Sequence, residues 1–237
     1  MFQLYKKEPV LQGIKMEDVT DFSATITDYF SSLIMSERAW GGCNFDFTKT
    51  VIAVEQATPD ELMQEAFRMT AAGSKHFEIP MHKAMMMEHS PIRTVYFWVK
   101  MYNIPNYVHI HFRTHNKFAA HIIKDDFVQT GRIDRSLRTN EDRWANKDHG
   151  LLLNVQDLIN MSGVRLCEKA DGNINYLMSI IVYLISHINE DIAAHLVPKC
   201  VSSGGYCNEG EGSCKKNRLK LKQYSRYHEN YPAYCLP

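Results

Sequence analysis

The stretch from Ile174 to Ile188 constrains this chain most. It is the most apolar run in the sequence, yet Asn175, Ser179, Ser186 and His187 interrupt it. A membrane-crossing helix needs about 20 consecutive apolar residues, so this run is too short and too broken to span a bilayer. Ile174, Leu177, Ile181, Leu184 and Ile188 recur at helical spacing. They predict one helix, over Asn173 to Ile188, with a buried stripe. Such a helix needs other layers to cover it. With 237 residues, 45% of them apolar and 23% charged, the chain has enough material to build them. A chain this long buries about 70–75% of its unfolded surface and needs no disulfide staples.

A second period lies upstream. From Thr94 to Tyr102, Val95, Phe97, Val99 and Met101 alternate with Tyr96, Trp98, Lys100 and Tyr102, which predicts a strand covered on both faces. Val51 to Val54 reads as a short strand, and Asp18 to Leu33 as an amphipathic helix ended by Gly41-Gly42. Thr58-Pro59-Asp60-Glu61 reads as a helix start, with the Thr58 hydroxyl capping, Glu61 reaching back and Gly73 as the stop. The methionine-rich Met81 to Met87 reads as a core helix. Leu151 to Arg165 reads as a helix, separated from Asn173 to Ile188 by Cys167 to Gly172. Tyr107 to His115 is left between helix and strand by its pattern alone. Lys124 to Lys147 is polar and reads as a solvated loop. With no repeats and no clear linker, the class is α+β, one domain followed by a tail.

The charge balance removes some functions. Lysine plus arginine total 27, and aspartate plus glutamate total 27. Zero net charge argues against a dedicated nucleic-acid or membrane-surface protein. Met1 to Gln12 has no apolar segment of secretory type, so a cytoplasmic location is expected, with no membrane association. In a reducing compartment the six cysteines are not expected to pair.

Three constellations carry possible chemistry. His109, His111 and His115 bind zinc only if their imidazoles converge, and no carboxylate stands at an obvious ligand spacing. Cys200, Cys207 and Cys214 are each separated by six residues, unlike the close pairs of common zinc sites. They form either a metal site completed by Cys235 or His228, or three thiols in a glycine-rich turn. The third constellation is polar groups inside apolar surroundings. Asn154, Leu158, Met161 and Arg165 fall on one helical face, and Asn160 lies between Ile159 and Met161. Buried amides and a buried guanidinium need partners, supplied by a structural network or by a bound polar ligand.

Several motifs then fall into one order. Glu88-His89-Ser90-Pro91 precedes the strand. Asn154, Asn160 and Arg165-Leu166-Cys167-Glu168-Lys169-Ala170 follow it. Pro198-Lys199-Cys200-Val201 leads to Gly205-Tyr206-Cys207-Asn208-Glu209-Gly210 and Ser213-Cys214. Together, from about Lys83 to Cys214, they resemble the flavin-dependent thymidylate synthase (ThyX) family. The family's Arg-His-Arg element is here Arg113-Thr114-His115. Its Ser-x-Arg is best matched by Thr130-Gly131-Arg132 after a longer gap, and its Ala-Gln-x-Glu by Ala170-Asp171-Gly172-Asn173.

The resemblance implies a mixed α/β catalytic domain over residues 1–200, with a cysteine-containing basic tail over 201–237. It implies a homotetramer with active sites where subunits meet, and a helix for Tyr107 to His115. The implied reaction is reductive methylation of dUMP to dTMP, with FAD as cofactor and methylenetetrahydrofolate and NADPH as co-substrates. By the same resemblance, Ser90, Arg113, His115, Asn154 and Asn160 hold the flavin. Thr130, Gly131, Arg132, Arg138 and Arg165 grip the nucleotide, and Arg165 and Arg113 are the catalytic pair. No metal is implied, and Cys167 is assigned to packing. A relative acting on another pyrimidine nucleotide such as dCMP, or leaving a hydroxymethyl group, is the near alternative. A non-catalytic metal- or nucleic-acid-binding protein on the same scaffold is the distant one.

Overall fold

The computed structural model describes residues 12–15, 51–70, 79–113, 120–123 and 145–215. The helix expected over Asp18 to Leu33 and the Gly73 stop lie outside these residues, as do positions 124–144 of the loop read over Lys124 to Lys147. The expected class holds: the fold is α+β, built on one antiparallel sheet.

Among the described residues, five strands form the sheet: β1 (Gln12–Lys15), β2 (Val51–Gln56), β3 (Tyr96–Pro105), β4 (Ala120–Ile123) and β5 (Asn146–Asn154). Their order is β1-β2-β3-β5-β4, with every neighbouring pair antiparallel. The end of the expected loop, Asn146 and Lys147, is the start of β5 and pairs with Pro105 and Ile104. β3 is central, as its alternation predicts. Phe97, Val99 and Met101 are buried, whereas Tyr96, Trp98 and Lys100 are only half-buried and Tyr102 is exposed. One face of β3 is therefore covered fully and the other partly, not both equally. Lys100 pairs with Glu55 of β2 at 3.5 Å on that open face. Near its end, β3 slips register between Met101 and Ile104, where Asn103 takes φ 57° and donates its N–H to Asp148 at 3.0 Å. A bulge of this kind re-aims the strand, and Pro105 then ends it.

The helices are α1 (Asp60–Thr70), α2 (Met81–Met87), α3 (Asn106–Arg113), α4 (Val155–Arg165), α5 (Gly172–Ile188), α6 (Glu190–Ala194) and α7 (Lys199–Ser202). α5 packs on β2 beneath the inward residues of the sheet: Ile52, Val54, Phe97, Val99, Leu151 and Leu153. From Leu177 to Ile185 it is buried on every side, not along a single stripe. A helix apolar all round belongs in a core, and each fully buried Ile or Leu contributes about 2 kcal/mol of transfer free energy. No helix among the described residues is long and apolar enough to cross a membrane.

The chain departs from the sequence reading at two helix starts. Thr58 does not cap α1. Its hydroxyl donates to the Thr94 carbonyl at 2.9 Å and accepts the Tyr96 N–H at 2.7 Å, so it stitches the start of β3 instead. Second, Leu151 to Asn154 is strand, not helix, and α4 begins only at Val155. Leu151 and Leu153 face the core from β5, while Asn154 closes the strand and caps the helix.

Tyr107 to Arg113 is helical, so the alternation of its histidines does not describe it. Tyr107, Val108 and Phe112 are buried and His111 half-buried, which is a helical stripe. α7 straddles residue 200, the expected boundary between catalytic domain and tail. Its Val201 is fully buried, and the helix packs on α4.

Candidate functional site

α4 organises the residues singled out above. At its start, the Asn154 side-chain Oδ1 accepts the Asp157 N–H at 2.9 Å. The Asp157 carboxylate accepts the Asn154 N–H at 3.3 Å, completing a reciprocal capping box. Because the cap turns Oδ1 toward the helix, Nδ2 is the donor that Asn154 can offer to another partner. The helix is also tied to the sheet, since Val155 N–H donates to the Val95 carbonyl at 3.0 Å.

Two turns on, Asn160 is exposed. Its Oδ1 accepts from Gln156 Nε2 at 3.4 Å, and the same Nε2 donates to Glu88 Oε2 at 2.9 Å. Glu88 ends α2 in the left-handed region, with φ 45°. Exposed His89 and Ser90 follow it, and Ser90 opens a 3₁₀ turn, Ser90–Thr94, that packs on α4. The structure thus brings the Ser90 segment to the same ridge as Asn160. Among the described residues, neither the Ser90 hydroxyl nor Asn160 Nδ2 is committed to a hydrogen bond.

At the other end of α4, Arg165 is half-buried and donates from Nη2 to the His111 carbonyl of α3 at 2.8 Å. Burial lowers its pKa and nearby Asp171 opposes that shift; a guanidinium stays protonated regardless. α3 is braced in turn. Its Tyr107 hydroxyl accepts from Asn173 Nδ2 of α5 at 2.8 Å, and the Tyr107 and His111 rings meet edge-on at 6.1 Å. Arg113 ends α3 two residues beyond the carbonyl that Arg165 holds. Leu158, Met161 and Arg165 keep the common face expected of them, with the first two fully buried. Asn160 does not share it: five residues before Arg165, it projects about 140° around the helix axis.

His115, Thr130, Gly131, Arg132 and Arg138 lie outside the described residues, as does the Arg113 side chain. Cys200, Cys207 and Cys214, like Cys167, are half-buried, and among the described residues none of them is in a disulfide. Among the described residues no three His, Cys, Asp or Glu side chains gather closely enough to hold a metal ion. The Cys167 carbonyl, rather than its thiol, organises the turn before α5 by accepting from Ala170 N–H at 2.9 Å and Asn175 Nδ2 at 3.1 Å.

Sequence reasoning missed the contacts of Glu88, Gln156, Tyr107 and Asn173. Gln156 stands four residues before Asn160, the spacing at which helical side chains meet, so that pair was open to inspection. Glu88 with Gln156, and Tyr107 with Asn173, are far apart in the chain and carry no local signal.

No family model matches the chain, and no curated protein matches it either.

Proposed function

We propose that the chain is a flavin-dependent pyrimidine nucleotide methylase that converts dUMP to dTMP with methylenetetrahydrofolate and NADPH, and that it works as a cytoplasmic homotetramer. One observation carries this reading: Asn154, Asn160 and Ser90 all have hydrogen-bond donors to offer, because both asparagine oxygens are turned to partners on α4. An isoalloxazine edge presents carbonyl oxygens and ring nitrogens, and the FAD diphosphate adds more acceptors. The donor set fits that group. FAD, when bound, supplies the reducing equivalents.

The remaining roles follow from residue chemistry. A one-carbon unit added at the pyrimidine C5 places negative charge on the ring. A guanidinium already fixed in place stabilises that charge without reorganising. Arg165 is held by the His111 carbonyl and sits partly away from water, which strengthens its field. Arg113 rides on the same α3 segment. Arg132 and Arg138 are assigned to the nucleotide phosphate, for which a planar guanidinium fork is suited, with Thr130 and Gly131 beside them and His115 at the flavin. Asn160 and Arg165 point to different sides of α4. A flavin on Asn160 and a nucleotide on Arg165 therefore share one active site where neighbouring copies of the chain meet, as the proposed homotetramer requires.

The visible absorption spectrum of the purified protein tests the flavin first: oxidised-flavin bands near stoichiometry are expected, on purification or after adding FAD. Turnover tests the arginine. Arg165→Ala is expected to lose about 10²–10³-fold in kcat with the circular dichroism spectrum kept. Near-normal turnover in that variant sinks the assignment. Product analysis with dUMP and dCMP decides the base, and the mass of the product decides methyl against hydroxymethyl.

A further inference from the structure

Glu88, Gln156 and Asn160 form a chain whose polarity has only one solution. A carboxylate accepts hydrogen bonds and donates none. Gln156 must therefore turn its amide nitrogen toward Glu88, as it does at 2.9 Å. That nitrogen also faces Asn160, at 3.4 Å, so Asn160 must turn its oxygen inward. Its Nδ2 is left pointing out of the ridge. An isolated exposed asparagine flips freely and presents either end, because its two faces are nearly the same shape. Here the flip is biased by a carboxylate two side chains away.

We infer that Glu88 and Gln156 are positioning residues that lock the Asn160 amide with its donor outward, so that this ridge selects an acceptor on the flavin. The inference rests on the flavin reading above and adds two residues to it. It also gives a reason for Glu88 to occupy the left-handed region, where a non-glycine residue is strained. That backbone conformation ends α2 and sets the carboxylate against α4.

The test is FAD affinity by flavin fluorescence quenching on the full chain, with melting temperatures as a check on folding. Asn160→Asp removes the donor and keeps the shape, and is expected to weaken binding about 10-fold. Gln156→Ala frees the amide to flip and is expected to weaken binding about 2-fold. The double variant should bind no more weakly than Asn160→Asp alone, since the two residues act as one unit. Glu88 supplies a second arm. Glu88→Ala and Glu88→Gln remove the same charge at the same strained backbone, but only glutamine keeps an oxygen for Gln156. Glu88→Gln is therefore expected to bind FAD about 2-fold tighter than Glu88→Ala.

Additive losses in the double variant, or equal affinities for the two Glu88 variants, overturn the positioning role while leaving the flavin reading intact. Wild-type protein that binds no FAD overturns both.

Discussion

At the residue scale, His195 shows how burial sets a charge state. It lies 5% exposed where α6 ends, and burial, aided by the nearby His82 of α2, lowers its pKa to about 4. The sign of its effect on stability follows. In the unfolded chain the imidazole takes up a proton as pH falls through 6.5. In the folded chain it does so only near 4. Between these values the unfolded state binds the extra proton, so the stability contributed by neutral His195 is complete above 6.5 and lost as pH falls toward 4. The loss amounts to about 3 kcal/mol. Urea unfolding at about pH 7 and about pH 4.5 should show the wild type losing roughly 2 kcal/mol more than His195→Phe over the same interval. Equal losses would mean that His195 does not report the acid limb. Nothing in the sequence marks this histidine: its neighbours Leu196 and Val197 hint at burial, but His82 is brought near only by the packing of α2 on α6. Glu88 stands in a motif that the sequence did mark, but its contact with Gln156, 68 residues on, carries no local signal. Asn154, by contrast, left a local trace that the reading of a helix from Leu151 passed over. It stands three residues before Asp157, a capping-box spacing, and that signal overrides the apolar run that precedes it.

At the element scale, the error over Leu151 to Asn154 has a physical cause. A short run of leucines satisfies strand and helix equally, and only its partners decide. Those partners are β3 and β4, the first about fifty residues upstream, and no local pattern announces them. β3 itself was legible because its alternation is long and ends at Pro105. α3 was ambiguous by its pattern, and only the structure shows Tyr107, Val108 and Phe112 buried together on a helix. α4 yields a prediction at this scale. Gly163 is buried inside it, against α7. A Cβ built there meets Lys199 Cβ at 3.7 Å and its backbone N at 3.9 Å, which is ordinary contact. Glycine in a helix interior costs about 1 kcal/mol relative to alanine. Gly163→Ala should therefore stabilise the protein by up to about 1 kcal/mol, raising the melting temperature by roughly 2–4 °C. A lower melting temperature by calorimetry would show that α4 and α7 need the glycine for a closer approach than this geometry requires.

At the scale of the whole molecule, the question is why the candidate residues are divided among several sides of one helix. α4 is held at both ends by other elements. Val155 bonds to Val95 before β3, and Arg165 bonds to His111 of α3. α5 is fixed in the same manner: Asn189 caps α6 through its Oδ1 and donates to Asp60 at the head of α1 at 2.8 Å. Asn160 and Arg165 stand about 140° apart around the one helix, a separation that no rotation of α4 changes. If one active site uses both residues, they come from neighbouring copies, and the oligomer is a condition of activity rather than an accessory to it. Co-expression of Asn160→Asp and Arg165→Ala chains tests this. At limiting FAD, Asn160→Asp alone is expected to keep about a tenth of wild-type turnover and Arg165→Ala about a hundredth or less. In mixed oligomers, random assortment places an intact Asn160 from one chain beside an intact Arg165 from another in about a quarter of the sites. Turnover should recover to roughly that fraction of wild type, and only when the two chains assemble together, as differently tagged copies purified in sequence would establish. Mixed oligomers no more active than Asn160→Asp alone would mean that both residues serve a site within one chain, which a ligand could reach only by wrapping around α4 from the Asn160 ridge to the α3 side.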